Sequence, residues 1–500
     1  VRSSLDVERL ERAFQALVDR HDALRTTFPA ADGEPRRRIA GHLSFRLGRE
    51  DATGWAEEEL RSRLAEEAWR PFDLATGPLL RVTLFTGAPG GPVLLVVIHH
   101  VIADFWSLAI VMREVPALYR EDALAPLGPG YDEHVRREQE WLNDGRGAAE
   151  LDWWRERLAG LPTLELPTDR PRPAVQTYRG DTHRLRLPGT LAAALRARSR
   201  AQHGTLFMTL AAAFQALLGR LAGQEDVAIG TARSGRTEAG SAGTVGYFVN
   251  QVVLRGDLTG DPTFSELLER TKATVQGAFA HGDYPLPLLA EHLQPERDAS
   301  RTPLFQVSFV LQKETRGAEG LTAFALGEEG VEVGPEGFRL ESMSLPHPPS
   351  PFDLVLHCVE RQGGLSLALQ YNTDLFDAAT TAALLERFER VLEAVAADPW
   401  VRLSELPLLT PAEREQLLLE GSGAEDAPSA GPLVHELVDA QARQQPEALA
   451  VATPEARITY GELASRARQL AATLGRLGVG PEVRVALCAG QAVERVVGSL

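Results

Sequence analysis

The strongest signal in the hydrophobic pattern is Val93-Leu-Leu-Val-Val-Ile98. This run of branched apolar residues predicts a buried strand. Upstream, Asp6 is placed to cap a helix whose apolar positions Val7, Leu10, Phe14, Leu17 and Val18 recur at helical spacing. Residues 57–70 predict a second helix and Leu79–Phe85 a strand, which a Gly/Pro hairpin over Gly87–Pro92 returns into Val93–Ile98. Leu108–Tyr119, Tyr131–Trp141 and Leu151–Leu158 read as helices. Leu161–Pro173 holds too many prolines for a helix or strand and reads as an extended crossing between two lobes.

The second half repeats the alternation of periods. Strands are predicted at Thr182–Leu187, Val227–Thr231, Val245–Arg255, Phe305–Leu311, Phe352–Val359 and Leu365–Tyr371. Helices are predicted at Leu191–Gln202, Thr205–Leu221, Phe264–His281 and Thr380–Ala397. The Gly/Ser/Thr/Ala stretch Ala232–Thr244 reads as a mobile loop, and residues 314–350 are only loosely patterned. Gly421–Pro432 has the composition of a flexible linker. Beyond it the chain restarts with helices and a strand at Val483–Leu487. No repeat of 20–50 residues is present.

Composition narrows the class. Five hundred residues, 44% of them hydrophobic, suffice for several domains. A net charge of −17 argues against a nucleic-acid partner. No apolar run reaches the ~18 residues of a membrane helix, and the start does not resemble a signal peptide. Cys358 and Cys488 are far apart and suggest no disulfide framework, which points to a reducing, cytoplasmic compartment. Both ends read as cut from a longer chain.

The candidate chemistry follows the strand at once: His99-His100-Val-Ile-Ala-Asp104-Phe-Trp-Ser107. Neighbouring residues at a strand end point to opposite sides, so one imidazole can face a reaction space while the other packs. An acid/base site is one reading, two satisfied core histidines another. A metal site is disfavoured, because the spacing is not a common ligand pattern and no cysteine cluster supports it. Arg20 or Arg25, in the polar cluster Arg20–Phe28, could turn inward to hold a buried carboxylate. Asn250 and Arg255 stand out in an otherwise apolar strand.

Together these stretches resemble the condensation domain of non-ribosomal peptide synthetases, followed by the start of an adenylation domain. Arg20-His-Asp-Ala-Leu-Arg-Thr-Thr-Phe28 is similar to the second condensation motif, and His99-His100-Val-Ile-Ala-Asp104 to the HHxxxDG signature. Tyr131 onward resembles the fourth motif, Val245–Asn250 with Arg255 the fifth, His281–Pro285 the sixth and Arg297–Leu304 the seventh. Ile458–Leu463 resembles the first adenylation motif. Two features depart from the pattern: the family's first motif, expected before Asp6, is missing, and Phe105 replaces the signature glycine.

The resemblance implies an α/β fold of two chloramphenicol-acetyltransferase-like lobes in a V. The expected division is an incomplete N-lobe over 1–160, a crossing over 161–173, a C-lobe over 174–409, a linker over 410–432 and a truncated adenylation start over 433–500. It implies peptide-bond formation between carrier-bound thioesters by direct attack, with His100 as base or positioner and His99 as its packed neighbour. Asp104 is expected to be structural, paired with Arg255, Arg20 or Arg25. Phe105, Trp106, Ser107 and Asn250 become candidates for the substrate tunnel, and the Phe-Trp-Ser variant suggests a polyketide donor. The family's phosphopantetheine sits on partner carrier domains upstream and downstream. ATP and Mg would serve only the complete adenylation domain, and the chain itself would hold no cofactor, metal, nucleic acid or membrane. A docking-only domain and a coenzyme A-dependent acyltransferase are the alternatives.

Overall fold

The computed structural model describes residues 1–236, 240–293, 298–313, 320–361, 364–422, 432–454, 456–480, 483–489 and 492–500. Arg297, residues 237–239 of the loop expected to be mobile and residues 423–431 of the expected linker lie outside the described residues. The fold is α/β and divides into two compact units, Val1–Leu408 and Leu409–Leu500.

In the first unit, strands Gly48–Asp51, Leu80–Thr86 and Val93–Ile98 form a sheet in that order, the first pair parallel and the second antiparallel. Period-two alternation divides their side chains between two cores. Leu80, Val82 and Leu84, with Leu94, Val96 and Ile98, pack with Leu10, Phe14 and Leu17 of helix Val7–Arg20 and with Ile110, Val111 and Val115 of helix Phe105–Tyr119. Phe85, Val93, Leu95 and Val97 face the other way, toward Leu60 and Leu64 of helix Glu57–Trp69. The strand Val93–Ile98 is thus held on both faces, which leaves its end little freedom.

A six-stranded sheet carries the larger core, in the order Val249–Asp257, Asp226–Ser234, Val307–Lys313, Leu354–Arg361, Gly364–Asn372 and Gly180–Leu187. Val307–Lys313 runs parallel to both its neighbours, and the other pairings are antiparallel. Helix Leu206–Ala222 is buried along most of its length against this core, its alanines allowing close approach. Residues 161–179 contain neither helix nor strand.

Three expectations change. The strand expected from Val245 begins at Val249, because the backbone of Gly246 and Phe248 bonds to Ser107 and Asp104 instead of to a ladder. The helix expected from Leu108 begins at Phe105, since Asp104 caps it. Val483–Leu487 is not a strand. Its apolar residues are about half exposed, and among the described residues the second unit pairs Leu449–Ala452 with Arg457–Thr459 instead. Helix Tyr460–Arg476 follows, started by a reciprocal capping box between Thr459 and Glu462.

Candidate functional site

The strand hands over to the histidines without slack. The His99 amide still pairs with the Leu79 carbonyl at 2.9 Å, continuing the ladder. A single 3₁₀ turn, His100–Ile102, follows, anchored by buried Ile102. The amide of Val101 donates to His99 Nδ1 at 3.1 Å, so that nitrogen is bare and the ring proton sits on Nε2. His99 is half-buried edge-on to Phe72, and burial, with the neighbouring His100 second, holds its imidazole below the ordinary histidine pKa. His99 is therefore a neutral, packed residue.

His100 is exposed and carries the opposite tautomer. Its Nδ1 lies 2.8 Å from the Ala103 carbonyl, which can only accept, so Nδ1 bears the hydrogen. In the neutral ring the Nε2 lone pair is then available to a proton donor. The ring of Tyr247 meets the imidazole edge-on, centroids 5.0 Å apart at 67°.

Asp104 is the hub behind this turn. Its side chain caps helix Phe105–Tyr119, Oδ1 accepting from the Ser107 amide and the Ser107 hydroxyl, each at 2.8 Å. Oδ2 accepts from the Phe248 amide at 3.3 Å, and the Asp104 amide donates to the Gly246 carbonyl. The cation on Asp104 is Arg236, whose Nη2 is 2.8 Å from Oδ1, with Nη1 donating to the carbonyls of Ser241 and Thr244. Burial draws the Arg236 guanidinium below its ordinary pKa, and Asp104 opposes that shift.

This corrects the expected pairing, for none of the three candidate arginines reaches Asp104. Arg20 pairs with Glu114 at 3.0 Å, and Arg25 pairs with Asp22 and donates to the carbonyls of Val18 and Ala40. Arg255 forks onto Asp226, its cross-strand diagonal neighbour, at 2.7 Å. Each had a nearer carboxylate. Arg236 was missed because it sits in the stretch read as mobile; two arginines, Arg233 and Arg236, among small residues were the available signal. Glu114 was also missed, although a carboxylate beside Arg113 in a largely apolar helix was visible. It is buried between Arg20 and His21 Nε2. Burial opposes its ionisation, but the hydrogen bond and charge of His21, with Arg20, outweigh burial and leave its pKa below the usual range.

The remaining candidates fall into place unevenly. Phe105 occupies the first helical position with ordinary negative φ, so the turn makes no demand for glycine there. Trp106 Nε1 donates to the Ala242 carbonyl at 2.8 Å. Ser107 is buried inside the Asp104 network and faces no open space. Asn250 pins a turn, donating to the carbonyls of Gly282 and Tyr284 and accepting from the Leu286 amide. Tyr131 donates to the Tyr247 carbonyl at 2.8 Å, and burial pushes its phenol pKa up. Among the described residues, no group of three or more His, Cys, Asp or Glu side chains is arranged to hold a metal ion, and no single helix is long and apolar enough to cross a membrane.

Residues 1–418 match the condensation domain family, and residues 438–500 match the AMP-binding enzyme family. A linear gramicidin synthase of Brevibacillus parabrevis is 40% identical over 512 residues, covering all of this chain and 10% of that protein. Chondramide synthase cmdD of Chondromyces crocatus is 36% identical over 509 residues, covering 99% of this chain and 13% of that protein. The chain thus spans about a tenth of the length of these relatives. Among solved structures, the X-domain from teicoplanin biosynthesis matches with a TM-score of 0.72 at 31% identity, covering 82% of this chain and 91% of that one. The first condensation domain of the calcium-dependent antibiotic synthetase, at 20% identity and a TM-score of 0.64 over 81% of this chain and 92% of that one, shares the fold.

Proposed function

We propose that this chain, which belongs to the condensation domain family, joins a carrier-bound acyl or peptidyl thioester to the amine of a carrier-bound aminoacyl thioester. The single observation that carries this reading is the exposed His100 imidazole with Nδ1 tied to the Ala103 carbonyl and Nε2 free to accept. The acceptor nitrogen attacks the thioester carbonyl, the C–N bond forms and the C–S bond breaks. The amine proton passes to His100 Nε2 and on to the departing thiolate. The thioester is already activated, so alignment of two tethered partners supplies much of the rate. His99 packs, and Asp104 with Arg236 holds the turn. The phosphopantetheine belongs to upstream and downstream carrier domains.

The finer reading is a polyketide-derived donor, resting on the Phe105-Trp106-Ser107 variant. Residues 433–500 are proposed as the start of an adenylation domain. We expect no amino-acid-dependent pyrophosphate exchange from residues 1–500, with ATP and Mg engaged only alongside the rest of that domain.

The test is a condensation assay with loaded donor and acceptor carriers. His100→Ala is expected to keep the wild-type melting temperature and lose about 10²–10⁴-fold in rate, the usual range for a general base. Full turnover by folded His100→Ala removes the base role. Likeness to the teicoplanin X-domain, which has also been solved in complex with OxyB, keeps a docking-only reading in view; it gains if wild type binds both carriers and forms no product. Running the assay with free acyl-coenzyme A in place of the donor carrier separates the coenzyme A-dependent reading.

A further inference from the structure

We propose that Tyr247 is a positioning residue, its ring holding the His100 imidazole so that Nε2 points in one direction. This rests on the condensation reading above. One hydrogen bond from Nδ1 to the Ala103 carbonyl leaves the imidazole free to tilt about that bond. A second contact is needed to fix where Nε2 points. The edge-on Tyr247 ring, 5.0 Å from the imidazole centroid, supplies it.

The backbone that presents Tyr247 is clamped from three sides. The Gly246 carbonyl accepts from the Asp104 amide at 3.1 Å and lies 2.9 Å from Ser107 Oγ, and the Gly246 amide donates to Ser107 Oγ at 3.0 Å. The Phe248 amide donates to Asp104 Oδ2. The Tyr247 carbonyl accepts from Tyr131. The Cα of Tyr247 is thus anchored by residues of the His100 turn itself and its neighbouring helix, so ring and imidazole share one frame.

The side chain, by contrast, does little for the fold. It is 37% exposed and belongs to none of the hydrophobic core clusters of its unit. Among the described residues its phenol oxygen has no hydrogen-bond partner. A half-exposed aromatic ring on a rigid backbone, resting on an exposed imidazole, serves the imidazole more than the core. The ring, not the hydroxyl, carries the effect.

The experiment uses the full chain with loaded carriers and compares Tyr247→Phe, Tyr247→Leu and Tyr247→Ala, alone and with His100→Ala. Tyr247→Phe should stay within about twofold of wild type in kcat, while Leu and Ala lower kcat about 3- to 10-fold, the scale of one aromatic pair. KM for the acceptor carrier and the melting temperature should stay put. In the His100→Ala background Tyr247→Ala should cost nothing further, because the ring acts through the imidazole. The inference is overturned if Tyr247→Ala matches wild type, if it changes KM alone, if Tyr247→Phe loses as much as Tyr247→Ala, or if the loss persists without His100. Should wild type form no product, the condensation reading fails by itself, and the ring's role is read from the ¹⁵N signals of His100. In relaxation measurements, an imidazole as rigid as the backbone in wild type and Tyr247→Phe but mobile in Tyr247→Ala supports it; identical relaxation in all three overturns it.

Discussion

Asp104 and Arg236 stand 132 positions apart in the chain and meet in a 2.8 Å ion pair whose side chains are only 7% and 5% exposed. The pair fastens the turn that carries His100 to the segment that presents Tyr247. Removing either partner strands a charge in a buried place, which costs about 3–5 kcal/mol. Asp104→Ala and Arg236→Ala should therefore both lose that much stability in urea unfolding and yield little soluble protein. Arg236→Lys should recover only part, because one ammonium cannot replace a fork that serves Asp104, Ser241 and Thr244 together. A double replacement costing the full sum of the two singles would show that the residues do not depend on each other.

Glu114 predicts a pH dependence. Its folded pKa lies below the ordinary glutamate value, burial notwithstanding, because His21 and Arg20 favour the carboxylate. A lowered folded pKa means that the unfolded chain binds the proton more readily. The contribution of Glu114 is then complete above the unfolded value and fades as pH falls through and below the folded one. The stability difference between wild type and Glu114→Gln, from urea midpoints at about pH 6, 4.5 and 3, should shrink toward the acid end. A constant difference contradicts the pairing.

Gly246→Ala tests close packing at the clamp. An added Cβ would lie 2.5 Å from Tyr131 Cδ2 and 2.9 Å from Phe248 Cε2. Ring or backbone must move, at about 1–3 kcal/mol as for other overpacked sites. The bond from Tyr131 to the Tyr247 carbonyl weakens with it. Gly243→Ala, where the added Cβ meets nothing within 4 Å, is the control. Thermal unfolding should separate the two, and equal melting temperatures would refute the crowding.

Phe105→Gly restores the family's usual residue. Phe105 already has helical geometry, so glycine relieves no strain and lowers stability by at most about 1 kcal/mol through helix propensity. Any change in donor preference should come from lost ring volume. Phe105→Ala should then behave like Phe105→Gly in the condensation assay with polyketide and peptidyl donors. A change confined to glycine would instead point to backbone freedom.

Much of this protein was legible along the chain because local periods report local burial. The run Val93–Ile98 alternates between two cores, and the amphipathic segment from Val7 folds as the helix its spacing predicts. The order of motifs, His99-His100 through Ile458–Leu463, pointed to the family that the comparisons identify. The cap that Asp104 gives helix Phe105–Tyr119 was not legible, since the apolar pattern places the helix start at Leu108.

What the chain could not declare is which distant partner each charge would find. Asp104 had several arginines within plausible reach, but Arg255 lies beside Asp226 across two strands and Arg20 beside Glu114. Arg236, 132 positions away, is the one that enters the buried site. Nor does a period-two run make a strand without a neighbour to bond, as Val483–Leu487 shows. Sequence determines side-chain chemistry and local conformation through nearby backbone and burial preferences. Ion pairs, tautomers and ring contacts depend on ångström-scale distances between segments far apart in the chain, and only the packed tertiary structure sets those.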